Sequence, residues 1–153
     1  AGITCPLSGW KLPNDNFHPD NGHVIPALMT KFNNATEDIV TCWGDGTPTR
    51  EFMYVDDLAD ACLFAMDNYE NAELINVGSG QDVSIFHLAH KVAALTGYNG
   101  KIEWDTERPN GTPKRPLDYN KITEKGWKPN YTLDQGLEEA YLWFQQATNL
   151  QTR

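Results

Sequence analysis

The residues best furnished for chemistry lie in Trp43-Gly44-Asp45-Gly46-Thr47-Pro48-Thr49-Arg50-Glu51-Phe52, which runs on into Tyr54-Val55-Asp56-Asp57. Trp43 offers a flat indole for a ring. Gly44 and Gly46 let a backbone approach a ligand closely. Arg50 carries the planar fork that suits a phosphate. Together these types fit a ligand that is both ringed and phosphorylated. The plainer alternative is a half-buried Trp43 with Arg50 laid over it by a cation–π contact. Asp56 and Asp57 could be a catalytic acid pair, but at the opening of a helix they read as an N-cap. Gly78-Ser79-Gly80 has the look of a phosphate loop, yet a lone Gly-x-Gly also makes a tight strand-to-loop turn. His87 and His90 are three apart on a predicted helix with no third ligand in evidence, so no metal site is expected. His18, between Phe17 and Pro19, reads as a packed loop residue.

These residues need a frame. A helix is expected over Val24–Asn33, with Pro26 tolerated in its first turn. Ile39–Trp43 alternates as a strand, and Glu51–Val55 follows the Gly/Thr/Pro turn as a second. Asp56 or Asp57 then caps a helix whose Leu58, Ala61, Cys62, Ala65, Met66 and Tyr69 share one face. On that face Cys62 reads as a small buried hydrophobe. Leu74–Val77 is a bare apolar run of the kind a parallel sheet buries on both faces. Ser84 caps a helix with Ile85, Leu88, Ala89 and Val92 on one side, and Gly97 stops it. Lys101–Asp105 alternates as a strand, and residues 108–116 form a Pro/Gly loop. Asp118–Thr123 is expected to make one helical turn. Thr132, with Gln135 three residues on, makes a capping box for the last helix, whose core side is Leu133, Leu137, Ala140, Tyr141 and Phe144. Alternating strands and helices argue for the α/β class.

The bulk properties narrow the function. A length of 153 residues suits one domain or part of a larger protein. Charged residues at 22% and aromatics at 11% fit a folded chain. A net charge of −9 argues against a nucleic-acid partner, so an anionic ligand must be held by local cations. No apolar run approaches the roughly 18 residues of a spanning helix, so no membrane partner is expected. With no signal peptide visible at the N-terminus, the chain is read as cytoplasmic. Cys5, Cys42 and Cys62 are odd in number and widely spaced, which speaks against a disulfide scaffold.

An ordered set of motifs carries a resemblance. It comprises Pro13-Asn14-Asp15-Asn16-Phe17-His18-Pro19, His23-Val24-Ile25-Pro26-Ala27-Leu28, Trp43-Gly44-x-Gly46-Thr47-Pro48-x-Arg50-Glu51-Phe52, Val55-Asp56-Asp57-Leu58-Ala59 and Ile75-Asn76-Val77-Gly78-Ser79-Gly80. It continues with Trp104-Asp105-Thr106, Gly111-Thr112-Pro113-Lys114 and Gly126-Trp127-Lys128-Pro129. Residues 13–147 thereby resemble the C-terminal half of the GDP-L-fucose synthases, the epimerase/reductases of GDP-4-keto-6-deoxymannose among the extended short-chain dehydrogenases. The Val-Asp-Asp and Asn-Val-Gly-x-Gly elements are shared across the extended group. The Asn-Asp-Asn-Phe-His-Pro and His-Val-Ile-Pro-Ala-Leu elements are more specific to the fucose synthase branch.

The resemblance implies roles by position. His23 matches the acid of the epimerisation, close to the nicotinamide, and so is both a catalytic and a cofactor-side residue. Lys31 stands at a basic substrate contact. Trp43 and Arg50 match the residues that hold the GDP-sugar. Asn110 replaces a usually acidic substrate contact, and Lys114 or Arg115 would neutralise diphosphate. The first half of the family is not matched. None of Tyr54, Tyr69, Tyr98, Tyr119, Tyr131 and Tyr141 has Lys four residues later, and no dinucleotide-type Gly loop follows a strand. None of Cys5, Cys42 or Cys62 occupies the place of the family's catalytic cysteine.

The expectation is thus an α/β chain equivalent to the C-terminal substrate-binding part of an extended short-chain dehydrogenase, lacking the N-terminal Rossmann dinucleotide domain. Residues 1–12 form an unmatched leader, 13–147 the substrate-binding domain, and 148–153 a tail. Such a truncated domain would bind a GDP-sugar or nucleotide and be inactive alone. No cofactor is expected on this chain by itself, although the full-length family uses NADP. The alternative is a noncatalytic module, self-associating as a homodimer or docking on a separate subunit, with no ligand binding retained. Its basis is the apolar helix after Val-Asp-Asp, which in the family packs on the dinucleotide domain.

Overall fold

The computed structural model describes residues 2–4, 23–114 and 118–151, with 2–4 and 148–151 as backbone only. Most of the expected leader, Cys5, His18 and Arg115 lie outside the described residues, as do the side chains of the expected tail. Ten elements follow in order: β1 (Gly2–Thr4), α1 (Val24–Asn33), β2 (Ile39–Trp43), β3 (Thr49–Tyr54), α2 (Val55–Asn68), β4 (Asp82–Ser84), α3 (Ile85–Thr96), β5 (Lys101–Asp105), α4 (Asn120–Glu124) and α5 (Leu133–Gln151).

The strands form two sheets. β2 and β5 run parallel, in a register that sets Ile39 opposite Lys101 and Trp43 opposite Asp105. β3 is central in the other, parallel to β1 and antiparallel to β4. Along β2 the alternation is clean: Val40 and Cys42 are buried, while Ile39, Thr41 and Trp43 face out. That period of two is what turns Trp43 toward solvent.

α1 buries Ile25, Leu28, Met29 and Phe32, spaced three and four apart, against α3. Pro26 costs this helix little, because first-turn N–H groups have no intrahelical acceptor. α3 contributes Leu88, Ala89, Val92 and Ala93 to the same core. Its Ser84 cap accepts from the His87 N–H at 3.2 Å, and Gly97 ends it at φ 78°. The Thr132–Gln135 capping box also forms: Gln135 Oε1 accepts the Thr132 N–H at 2.9 Å, and Thr132 Oγ1 accepts the Gln135 N–H at 3.3 Å. Leu137, Ala140, Tyr141 and Phe144 of α5 complete the core. Each large aliphatic or Phe side chain among these stabilises the fold by roughly 1.5–3 kcal/mol on leaving water.

Three expectations are corrected, and one element was not foreseen. Neither Asp56 nor Asp57 caps α2, which begins at Val55 with Tyr54 in the cap position. Asp57 is instead 1% exposed and accepts the backbone N–H groups of Asn130 at 2.8 Å and Tyr131 at 3.0 Å. It therefore ties α2 to the segment that launches α5. Cys62 is exposed, because α2 turns Ala61 toward Ile122 and Trp127 and leaves the next position in solvent. Leu74–Val77 is not a strand. No strand is formed over these residues, and Leu74 is 90% exposed. Finally, β4 is a strand that pattern reading missed, since three residues are too few to show a period.

Candidate functional site

β2 and β5 end side by side at Trp43 and Asp105, and in open α/β folds ligands gather beyond the carboxyl ends of parallel strands. Immediately after Trp43 the chain turns through Gly44 at φ 78° and Gly46 at φ 75°. Both conformations favour glycine, and neither position has room for a side chain. A Cβ on Gly44 would strike Asn110 Oδ1, and one on Gly46 would come within 2.8 Å of the Trp104 ring.

Asp45 stabilises this turn from within. Its carboxylate accepts the Thr47 N–H at 2.8 Å and the Thr47 hydroxyl at 2.6 Å. The Thr47 hydroxyl, its N–H and then the Asn110 side chain hold the Asp45 carboxyl below its ordinary range. Asn110 Oδ1 in turn accepts the Asp45 N–H at 3.0 Å. The amide expected to face a substrate thus has its oxygen committed to the Gly turn.

Trp43 is 48% exposed. The Lys31 ammonium, in the last turn of α1, sits 5.5 Å from its ring centroid, and the Arg108 guanidinium sits 4.7 Å from it. Arg108, not Arg50, is therefore the arginine laid on the indole. Arg108 Nε is also 3.6 Å from the Asp105 carboxylate. Sequence reading assigned Arg108 no role, because its proximity follows from the β2–β5 register. Knowing that Trp43 lies opposite Asp105 would have placed Arg108, three residues on, beside the indole.

Arg50 enters β3 a short way along the same rim. Its Nη1 donates to the Thr49 carbonyl at 2.6 Å, and a Cβ on Gly111 would come within 2.9 Å of its Nη2. The absence of a side chain at Gly111 is what lets the guanidinium lie there. Gly111 adjoins Asn110, so Arg50, Asn110 and the Gly turn are linked through one loop. Lys114 closes that loop, pairing with Asp82 of β4 at 2.7 Å, and the Asp82 carboxylate raises its pKa. The backbone pins it further, with the Thr49 N–H donating to the Pro113 carbonyl at 2.9 Å.

His23 is exposed at the cap position of α1, where its carbonyl accepts the Ala27 N–H at 2.9 Å and its side chain does not cap the helix. It lies eight residues before Lys31, about 12 Å along the helix axis at 1.5 Å per residue. The fold therefore groups Lys31, Trp43, Arg50 and Asn110, keeps Lys114 on the same loop, and sets His23 at the far end of α1. His87 Nδ1 is engaged with Ser84 Oγ at 2.8 Å and His90 Nδ1 with the Phe86 carbonyl at 2.8 Å. Among the described residues, no group of three or more His, Cys, Asp or Glu side chains could hold a metal ion. Gly78-Ser79-Gly80 wraps a carboxylate of the chain itself: Glu51 Oε1 accepts the Gly80 N–H at 2.6 Å and the Ser79 hydroxyl at 3.3 Å.

Comparison with known proteins gives this rim a context. The model of the NAD dependent epimerase/dehydratase family matches residues 3–78. The chain is 48% identical over 148 residues to GDP-L-fucose synthase 1 of Arabidopsis thaliana, covering 94% of this chain and 45% of that protein. To GDP-L-fucose synthase of Escherichia coli (strain K12) it is 42% identical over 145 residues, covering 86% of this chain and 45% of that protein. The crystal structure of a GDP-L-fucose synthetase from Naegleria fowleri bound to NADP superposes with a TM-score of 0.81 at 29% identity. That match covers 90% of this chain and 44% of that one. The chain thus spans a little under half the length of the relatives it matches.

Proposed function

Since this chain corresponds to the C-terminal half of an extended short-chain dehydrogenase of the GDP-L-fucose synthase type, we propose that it binds a GDP-sugar or nucleotide at the Trp43 rim. The observation that carries this reading is the exposed Trp43 at the carboxyl end of β2, with Lys31 and Arg108 on its ring. In a chain of net charge −9, cations gathered at one strand end offer a local counter-charge for a diphosphate. Arg50 and Lys114 extend that charge along the loop, and Asn110 shapes the turn between them. On this reading His23, at the other end of α1, serves the sugar rather than the phosphates.

Hydride transfer on this reading is not performed by these residues alone. It needs a nicotinamide and a proton donor beside the carbonyl, whereas the 153 residues contain no Tyr-x-x-x-Lys pair and no dinucleotide loop. The residues present do not fit NADP by themselves, and His23 is the one position the resemblance sets near it. We place the chain in the cytoplasm. Calorimetry with GDP tests the binding: Arg50→Ala should weaken it by over about 1.4 kcal/mol, a factor of ten. Unchanged affinity in that variant would remove Arg50 from the nucleotide site, and NADPH consumption with the keto-sugar by the unaltered chain would remove the claim of inactivity.

A second reading is favoured by the apolar face of α2. Leu63 is 62% exposed and Met66 79%, and Leu74 in the following segment is 90% exposed. Uncovered apolar surface of this kind favours association. A second copy of the chain or a separate dinucleotide-binding subunit would cover it. Light scattering decides the first case: a clean monomer at micromolar concentration contradicts obligate dimerisation.

A further inference from the structure

The indole of Trp43 is well exposed, yet two cations already lie over its ring. A base that stacked there would compete with Arg108 at 4.7 Å and Lys31 at 5.5 Å. Cation–π contacts at exposed sites are weak, enough to orient a long side chain without immobilising it. Arg108 is further oriented by Asp105, but at 3.6 Å and with 57% of its side chain exposed this pair contributes little. A phosphate offers the same guanidinium two charged acceptors in the geometry of its fork.

The backbone makes the placement reproducible. The Asp105 carbonyl accepts both the Gly44 N–H at 2.9 Å and the Arg108 N–H at 3.2 Å. One carbonyl thus starts the Gly turn after Trp43 and anchors the root of Arg108. The Asp105 carboxylate adds the Glu107 N–H at 3.2 Å, tightening the turn between them.

We propose that Arg108 is a phosphate-binding residue of this site, and that Trp43 serves as the mount that holds Arg108 and Lys31 toward the diphosphate rather than as a platform for the base. The inference rests on the nucleotide-binding reading above and assigns a different job to its aromatic residue.

Calorimetric titration of the chain with GDP, guanosine and inorganic pyrophosphate tests it, using the unaltered chain, Arg108→Ala, Arg108→Lys and Arg50→Ala. Arg108→Ala should lower the affinity for both GDP and pyrophosphate at least tenfold, with partial recovery in Arg108→Lys and no change for guanosine. Thermal melting of each variant, together with the Lys replacement, separates a lost contact from a lost fold. If Arg108→Ala keeps full GDP affinity while Arg50→Ala loses it, the proposal is overturned and the nucleotide site stands. If guanosine affinity rises in Arg108→Ala, the base stacks on the freed indole, Trp43 is a base platform and the proposal is again overturned. Failure of the unaltered chain to bind any of the three probes overturns both readings.

Discussion

Replacing Asp57 by alanine should cost this fold more than any surface substitution near it. The carboxylate is 1% exposed and receives the Asn130 and Tyr131 N–H groups at 2.8 and 3.0 Å. Leaving a buried backbone N–H unpaired costs about 1–3 kcal/mol, and bonds to a charged acceptor lie at the upper end of the range. Both donor residues are exposed, so water can reach their N–H groups once the carboxylate is gone. The two losses together should then come to about 2–3 kcal/mol rather than the full sum. At an m-value of about 2 kcal/mol per molar urea, the unfolding midpoint falls by about 1–1.5 M. Asp56→Ala is the internal control. Asp56 is exposed in the first turn of α2, where a carboxylate interacts only with the helix dipole, worth about 0.3–1 kcal/mol. Urea unfolding at neutral pH, followed by far-ultraviolet circular dichroism, measures both. Equal losses in the two variants would mean that the acids act through the helix start. A loss below about 0.5 kcal/mol for Asp57→Ala would mean that the tie to the α5 segment carries no weight.

Other consequences can be checked as readily. Gly46→Ala meets both a φ of 75° and a Cβ within 2.8 Å of Trp104 and 3.0 Å of Phe86; it should destabilise by about 2 kcal/mol or more, and an unchanged urea midpoint would contradict the turn geometry. Thr47→Val removes the hydroxyl that does most to depress the Asp45 carboxyl, so an NMR titration should show that carboxyl moving up toward its ordinary range. Lys121, bonded to Glu73 at 2.7 Å, holds the Glu73 carboxyl below its usual value in the folded state. That contribution is present above the unfolded carboxylate range and is lost as pH falls through the folded value, so Lys121→Met should flatten the acid limb of stability against pH; identical limbs would refute the pairing. Iodoacetamide followed by peptide mapping should label Cys62 well before Cys42, which is buried and whose thiol burial pushes up against the opposing Lys31 charge. A slow Cys62 would show that the α2 face is covered in solution.

Much of the frame was legible because its signals are local. The apolar spacing of Ile25, Leu28, Met29 and Phe32, the Ser84 cap with Gly97 as stop, and the Thr132–Gln135 box each lie within one helix. β2 and β5 were legible through alternation. The same alternation puts Trp43 on the face of β2 opposite Val40 and Cys42, and the structure shows that face to be the exposed one. Arg50, Asn110, Lys31 and Lys114 were placed on one rim through resemblance rather than spacing, and the structure adds what each one touches. Asn110 turns out to serve the Gly turn through Asp45, and Lys114 is shared with Asp82.

What the amino-acid order alone determined is therefore most of the helices and the β2 and β5 strands, since helix and strand periods and caps are written over a few adjacent residues. Only the tertiary structure decided that Arg108, not Arg50, lies on that indole, that Asp57 grips residues 130 and 131 instead of its own helix, and that Cys62 and Leu74 face water. Each of these depends on which distant strand or loop comes alongside, and a partner tens of residues away leaves no mark on the local period.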